Sequence, residues 1–87
     1  MKFGEALEEL KKGVKVARDG WNGKGMFVYL VPAGRFAAYT EVAKDIADED
    51  GKVDYNPYFA IKTTNGTVST WVPSVNDCLS EDWFIVK

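Results

Sequence analysis

The sequence predicts an α+β domain, with an N-terminal helix packed on an antiparallel sheet of about five strands and short helical turns in the connections. Three observations predict it. Phe3, Ala6, Leu7 and Leu10 fall at i, i+3, i+4 and i+7, which puts them on one face of a helix. Asn65-Gly66 separates two runs rich in β-branched and aromatic residues, the strongest short-range signal for a hairpin. Two further apolar runs, 26–31 and 82–86, have strand length, and the first stops at Pro32.

The helix carries Glu5, Glu8 and Glu9 in its early turns and Lys11 and Lys12 at its end, which suits the backbone dipole, and Gly13 is placed to close it. Val14–Arg18 alternates and reads as a first strand, leading into a loop over Gly20–Gly25. Met26–Val31 reads as a second, largely buried strand. From Ala33 to Tyr58 the pattern is weak. A short helix capped by Thr40 is expected there, with Val42, Ala43 and Ile46 facing inward, followed by a solvated acidic loop over 45–54. Tyr58–Thr64 and Thr67–Val72 form the hairpin, with a type I′ turn expected at Asn65-Gly66. Ser74 and Asp77 make a capping box for a helical turn ending at Leu79, and 82–86 is the last strand.

Eighty-seven residues suit a single domain, residues 1–87. A chain of this size buries only about 60% of its unfolded surface and gains stability by self-association. Three Trp, four Tyr and five Phe are more aromatics than so small a core needs, so some are expected at a subunit contact or a ligand site. The net charge is −2 and the basic residues are scattered, whereas binders of polymeric nucleic acid carry a basic face. A small anion needs only two or three local donors. No histidine is present, which removes imidazole chemistry and the commonest transition-metal ligand. The single Cys78 is expected to be a buried thiol. No apolar run approaches the length of a membrane span, and the chain reads as cytosolic.

Two segments stand out as candidate site elements. Gly20–Phe27 (GWNGKGMF) concentrates an indole, an amide, a lysine and three glycines between two strands. Glycine lets bare backbone N–H groups approach another molecule, while Trp21 supplies a stacking face and Lys24 a positive charge. The segment is neither a Walker A loop, since Gly25 and Met26 follow Lys24, nor a dinucleotide-binding loop, since a strand follows it rather than a helix. A plain glycine-rich hairpin would leave a large indole on an exposed tip. Trp71–Trp83 (WVPSVNDCLSEDW) pairs two indoles with a turn proline and the cap residues. Ser74 and Asp77 are explained equally well by helix capping and by contact with an anion or a ribose hydroxyl. Asp48-Glu49-Asp50 lacks the spacing of a calcium loop. No pair of carboxylates is spaced for acid–base work, so a nucleotide-processing enzyme and a small protein-interaction module are the rival readings to a nucleotide-binding protein.

The combination of G-W-N-G-K-G-M with W-x-P-S-x-x-D-x-L-x-x-D-W resembles the small phage-encoded Thoeris anti-defence protein two family, formerly a domain of unknown function. The likeness runs through nearly the whole chain, with 33–58 as its variable part. It implies a non-enzymatic sponge, without cofactor or metal, acting in the cytoplasm of an infected bacterium. Such a protein binds a cyclic ADP-ribose-type immune signal, glycocyclic ADP-ribose, without degrading it and so starves the Thoeris effector. The resemblance also implies homotetramers with ligand pockets at subunit contacts, and some members hold cyclic oligonucleotides at a second site. It assigns the ligand role to Trp21, Asn22, Gly23, Lys24, Met26, Trp71, Pro73, Ser74 and Asp77.

Overall fold

The computed structural model describes residues 1–87. In chain order the elements are α1 (Phe3–Lys11), β1 (Val16–Arg18), β2 (Phe27–Val31), β3 (Gly34–Ala37), α2 (Glu41–Ile46), β4 (Lys52–Tyr55), β5 (Tyr58–Lys62), β6 (Val68–Thr70), α3 (Val75–Leu79) and β7 (Trp83–Ile85). Five strands form one antiparallel sheet in the order β6-β5-β2-β1-β7, and β3 and β4 form a separate two-stranded ribbon. The fold is α+β.

The amphipathic reading of α1 holds. Ala6 and Leu10 are buried, Glu5 accepts a hydrogen bond from the Lys2 amide, and Gly13 closes the helix at φ +88°. Ala6 and Leu10 pack with Val16, Val28 and Trp83 into the core, flanked by Phe3, Leu7, Trp21, Phe59, Ile61 and Trp71. Val16 lies opposite Val28, and Val28 opposite Ile61, so these side chains share the sheet face under the helix. Burying a leucine such as Leu10 contributes about 1.5–3 kcal/mol. At the sheet edge Trp83 exchanges backbone hydrogen bonds with Met1, whose ammonium donates to the Trp83 carbonyl at 2.7 Å.

Residues 34–55 depart from the sequence reading. Thr40 caps α2 as expected, accepting from the Ala43 amide at 3.0 Å, but only Ala43 is buried. Val42 and Ile46 are 73% and 69% exposed, because α2 packs only on β4 and nothing lies against its outer side. The expected acidic loop is partly strand: β4 pairs with β3 from Gly34 opposite Tyr55 to Ala37 opposite Lys52. Asp48, Asp50 and Asp54 converge on Arg35, whose guanidinium takes up their charge. This ribbon and its helix form an arm. The chain measures 46 × 27 × 25 Å with a radius of gyration of 15.7 Å, against about 12 Å for a compact domain of this length.

Two further expectations fail. The hairpin turn is not type I′, since Gly66 alone takes a positive φ, +87°, while Asn65 stays in the right-handed half of the map. Thr63 instead accepts from the Gly66 amide, Thr63 donates to the Thr67 carbonyl, and the Asn65 side chain accepts from the Thr67 amide. That is a turn closed by a left-handed glycine bulge, which a side chain able to bond two residues on favours over the tighter turn. Cys78 is exposed rather than buried, because α3 turns Asp77 inward and its neighbour outward.

Candidate ligand-binding site

The loop after β1 shapes a cleft of about 370 Å³ lined by Ala17, Arg18, Asp19, Trp21, Gly23, Lys24, Gly25, Met26 and Phe84. Four of the sequence-predicted residues, Trp21, Gly23, Lys24 and Met26, therefore meet at one concavity. Trp21 is not the free tip that a plain hairpin would make it. It meets Trp83 at 5.4 Å and Trp71 at 6.4 Å between ring centroids, both nearly edge to face, and Trp71 meets Trp83 at 6.1 Å. The other two indoles anchor the ring on the core while one side of it lines the cleft. Trp71 is thus behind Trp21 rather than in the cleft wall.

Gly23 is required by space. A Cβ there would sit 2.3 Å from Met26 Sδ and 2.4 Å from Thr64 Cγ2. Gly25 is required by conformation, at φ +79°.

Behind the indole a charged network fixes the loop. Arg18 donates from Nε to Asp82 at 2.9 Å and from Nη1 to Asp77 at 2.8 Å. Asp82 also accepts from the Gly20 amide at 2.8 Å, which ties the start of the loop to the strand end. Asp77 accepts from the Ser74 amide at 2.9 Å and, at 3.4 Å, from the Trp21 indole N–H. Ser74 in turn accepts from the Asp77 amide at 3.0 Å, the reciprocal capping box expected from the sequence. Burial pushes the Asp77 carboxyl up, but hydrogen bonds from Ser74 and Arg18 outweigh it and hold the group below its ordinary value. The Asp82 carboxyl is lowered chiefly by Arg18, against some desolvation, with help from the Gly20 amide. Arg18 is raised in return, by Asp82 first and then Asp77.

Asp77 therefore serves as helix cap and as anchor for Arg18 and Trp21 at once. Asn22, Pro73 and Ser74 do not line the cleft, nor does Trp71. Sequence reasoning missed Arg18, Asp82 and Phe84. No alternation marks them together: Arg18 lies opposite Trp83 and Ala17 opposite Phe84, so Arg18 and Phe84 start from opposite faces of the β1–β7 pair.

A larger cleft of about 440 Å³ lies where the arm leaves the sheet, between Val31, Pro32 and Tyr58 on one side and Phe36, Tyr39 and Tyr55 on the other. No lysine or arginine lines it. An anion has no cationic partner there, so the smaller cleft, with Arg18 and Lys24 in its wall, is the better site for a charged ligand.

The sequence pattern of the Thoeris anti-defense 2-like domain matches residues 1–86. The chain is 43% identical to Thoeris anti-defense 2 of Bacillus phage SP01, in an alignment covering all of this chain and 96% of that protein. It belongs to the Thoeris anti-defense 2-like family.

Proposed function

We propose that this chain is a phage anti-defence protein that binds a cyclic ADP-ribose-type immune signal and holds it unaltered, so that the Thoeris effector is deprived of its activator. Membership of an anti-defense family supports the biological role. The observation that carries the molecular reading is the convergence of Trp21, Gly23, Lys24 and Met26 on one cleft, with the indole braced from behind by Asp77. Trp21 is the stacking platform for a base, Lys24 a phosphate partner, and the glycine loop brings backbone donors within reach.

Magnitudes support an assembly. To outcompete an effector, a sponge needs nanomolar binding, about −12 kcal/mol. Stacking on one aromatic contributes about 1–3 kcal/mol and each charge-assisted hydrogen bond about 1.5–3 kcal/mol. One open cleft of about 370 Å³ falls short once the cost of immobilising the ligand is counted, and a cleft closed by a second subunit does not. Self-association has a surface ready for it. Only 9 of 87 residues are buried, while Phe36, Tyr39, Val42, Ile46 and Tyr55 expose apolar area on an arm that nothing in its own subunit covers. A homo-oligomer, a tetramer by family likeness, buries that arm.

The test is to incubate the protein with glycocyclic and other cyclic ADP-ribose isomers, remove free ligand, denature by heat and analyse what is released. Intact ligand in stoichiometric amount is expected. A cleaved product would overturn the sponge in favour of an enzyme, and no captured nucleotide would overturn the ligand class.

A further inference from the structure

The sheet face opposite α1 carries two cations that nothing neutralises. Lys15 Nζ lies 5.1 Å and Lys62 Nζ 5.6 Å from the centroid of the same ring, Phe27. Lys62 stands directly opposite Phe27 in the β2–β5 ladder. Its ammonium also donates to the Gly25 carbonyl at 3.3 Å, and Gly25 lines the cleft beside Lys24. Neither Lys15 nor Lys62 has a carboxylate within salt-bridge distance, a lack they share with Lys2, Lys24, Lys52 and Lys87, but only these two converge on one ring. In a chain of net charge −2, leaving two like charges on one ring while acids elsewhere crowd around Arg35 is electrostatically unfavourable. The ring quadrupole holds each ammonium and limits its freedom without cancelling its charge.

We infer that Lys15 and Lys62, ordered over Phe27 and joined to the glycine loop through Gly25, form a phosphate subsite continuous with the Trp21 cleft. Its ligand is a phosphate or pyrophosphate dianion, and it rests on the reading above in that the dianion is taken to be the pyrophosphate of the nucleotide whose base stacks on Trp21. Lys24 reaches that group from the loop, and Lys15 and Lys62 reach it from the sheet. The residues span three separate parts of the sequence, which is why no motif marks them.

The experiment is titration calorimetry of the full chain with two probes, glycocyclic ADP-ribose and inorganic pyrophosphate, at low and moderate salt. Lys15→Gln and Lys62→Gln are each expected to weaken both probes about tenfold or more, as the loss of one charge-assisted bond does, and to flatten the salt dependence. Lys15→Arg and Lys62→Arg, which keep the charge, restore binding, and all four variants keep the wild-type melting temperature and oligomer size. If the wild type binds the nucleotide and both glutamine variants bind it equally well, the subsite is wrong and the sponge stands. If the wild type binds pyrophosphate through these lysines but not the nucleotide, the subsite stands and the sponge fails. If it binds neither probe, both fall.

Discussion

The indole N–H of Trp21 is aimed at Oδ1 of Asp77, the same oxygen that Arg18 Nη1 holds at 2.8 Å. At 3.4 Å the indole bond is long, so its effect is to orient the ring more than to stabilise the fold. The helix cap, the strand end and the cleft-lining indole thereby share one carboxylate. Asp77→Asn keeps the size of the side chain but leaves Arg18 without its charged partner. It is expected to cost about 2 kcal/mol, roughly 10 °C in melting temperature for a domain this small. Trp21→Phe removes only the N–H donor and part of the stacking area, and should leave stability nearly unchanged while weakening ligand binding. A thermal melt and a ligand titration on both variants separate the two roles, and Trp21→Ala, which removes the stacking face altogether, would refute the platform if its affinity were unchanged.

Acid should destabilise the fold through this network. Asp77 and Asp82 have carboxyls lowered by their hydrogen bonds, Asp77 in spite of its burial. A lowered carboxyl stabilises the fold above its unfolded value, near pH 4, and that stabilisation is lost as pH falls through the folded value. Melting temperature should therefore be flat from neutrality to about pH 4 and decline below it. In Asp82→Asn the decline should be shallower, because one of the linked protons is gone. An equal slope in that variant would show that Asp82 does not contribute.

Gly23 offers a way to close the cleft without touching a charged group. An added methyl must displace Met26 Sδ, which can swing away, and Thr64 Cγ2, which belongs to a short branched side chain and has little room to move. Gly23→Ala should shift the loop, weaken nucleotide binding by tenfold or more, and leave the far-ultraviolet circular dichroism spectrum as it was. Wild-type affinity in that variant would mean that the ligand does not use this cleft.

The parts of the fold that could be read from the sequence are those whose side-chain period matched their burial. Phe3, Ala6, Leu7 and Leu10 declare α1 because one face of it meets the core, and Ser74 with Asp77 declare α3 because the cap is local chemistry. The arm was illegible for the opposite reason. β3 and β4 leave most of their side chains exposed, so no in–out alternation marks them, and the inward face expected for Val42 and Ile46 has no partner inside this subunit. Asn65-Gly66 announced a hairpin correctly, but not which turn, since the Asn65 side chain and the flanking Thr63 and Thr67 decided that among themselves. At the cleft, the glycine loop and Trp21 were visible as a motif. Arg18, Asp82 and Phe84 were not, because Phe84 reaches the cleft through the pairing of β7 with β1, and Arg18 is held by Asp77 and Asp82, which are remote from it in sequence.

The exposed side of α2 gives the last prediction. Val42 and Ile46 stand one helical turn apart, and Phe36 and Tyr55, whose rings meet at 5.9 Å on the neighbouring ribbon, add to the same apolar arm. Burying one such aliphatic side chain contributes about 1.5–3 kcal/mol, whereas burying an unpaired carboxylate in its place is strongly unfavourable. Val42→Asp combined with Ile46→Asp should therefore split the proposed oligomer, and because both side chains are already exposed in the isolated subunit, the subunit itself should remain folded. Size-exclusion chromatography with light scattering reads the first outcome and circular dichroism the second. If the ligand is enclosed between subunits, the dissociated protein loses affinity although its Trp21 cleft is untouched. A split oligomer that still binds at full strength would show that one subunit suffices, and an oligomer that survives both substitutions would place the contact elsewhere.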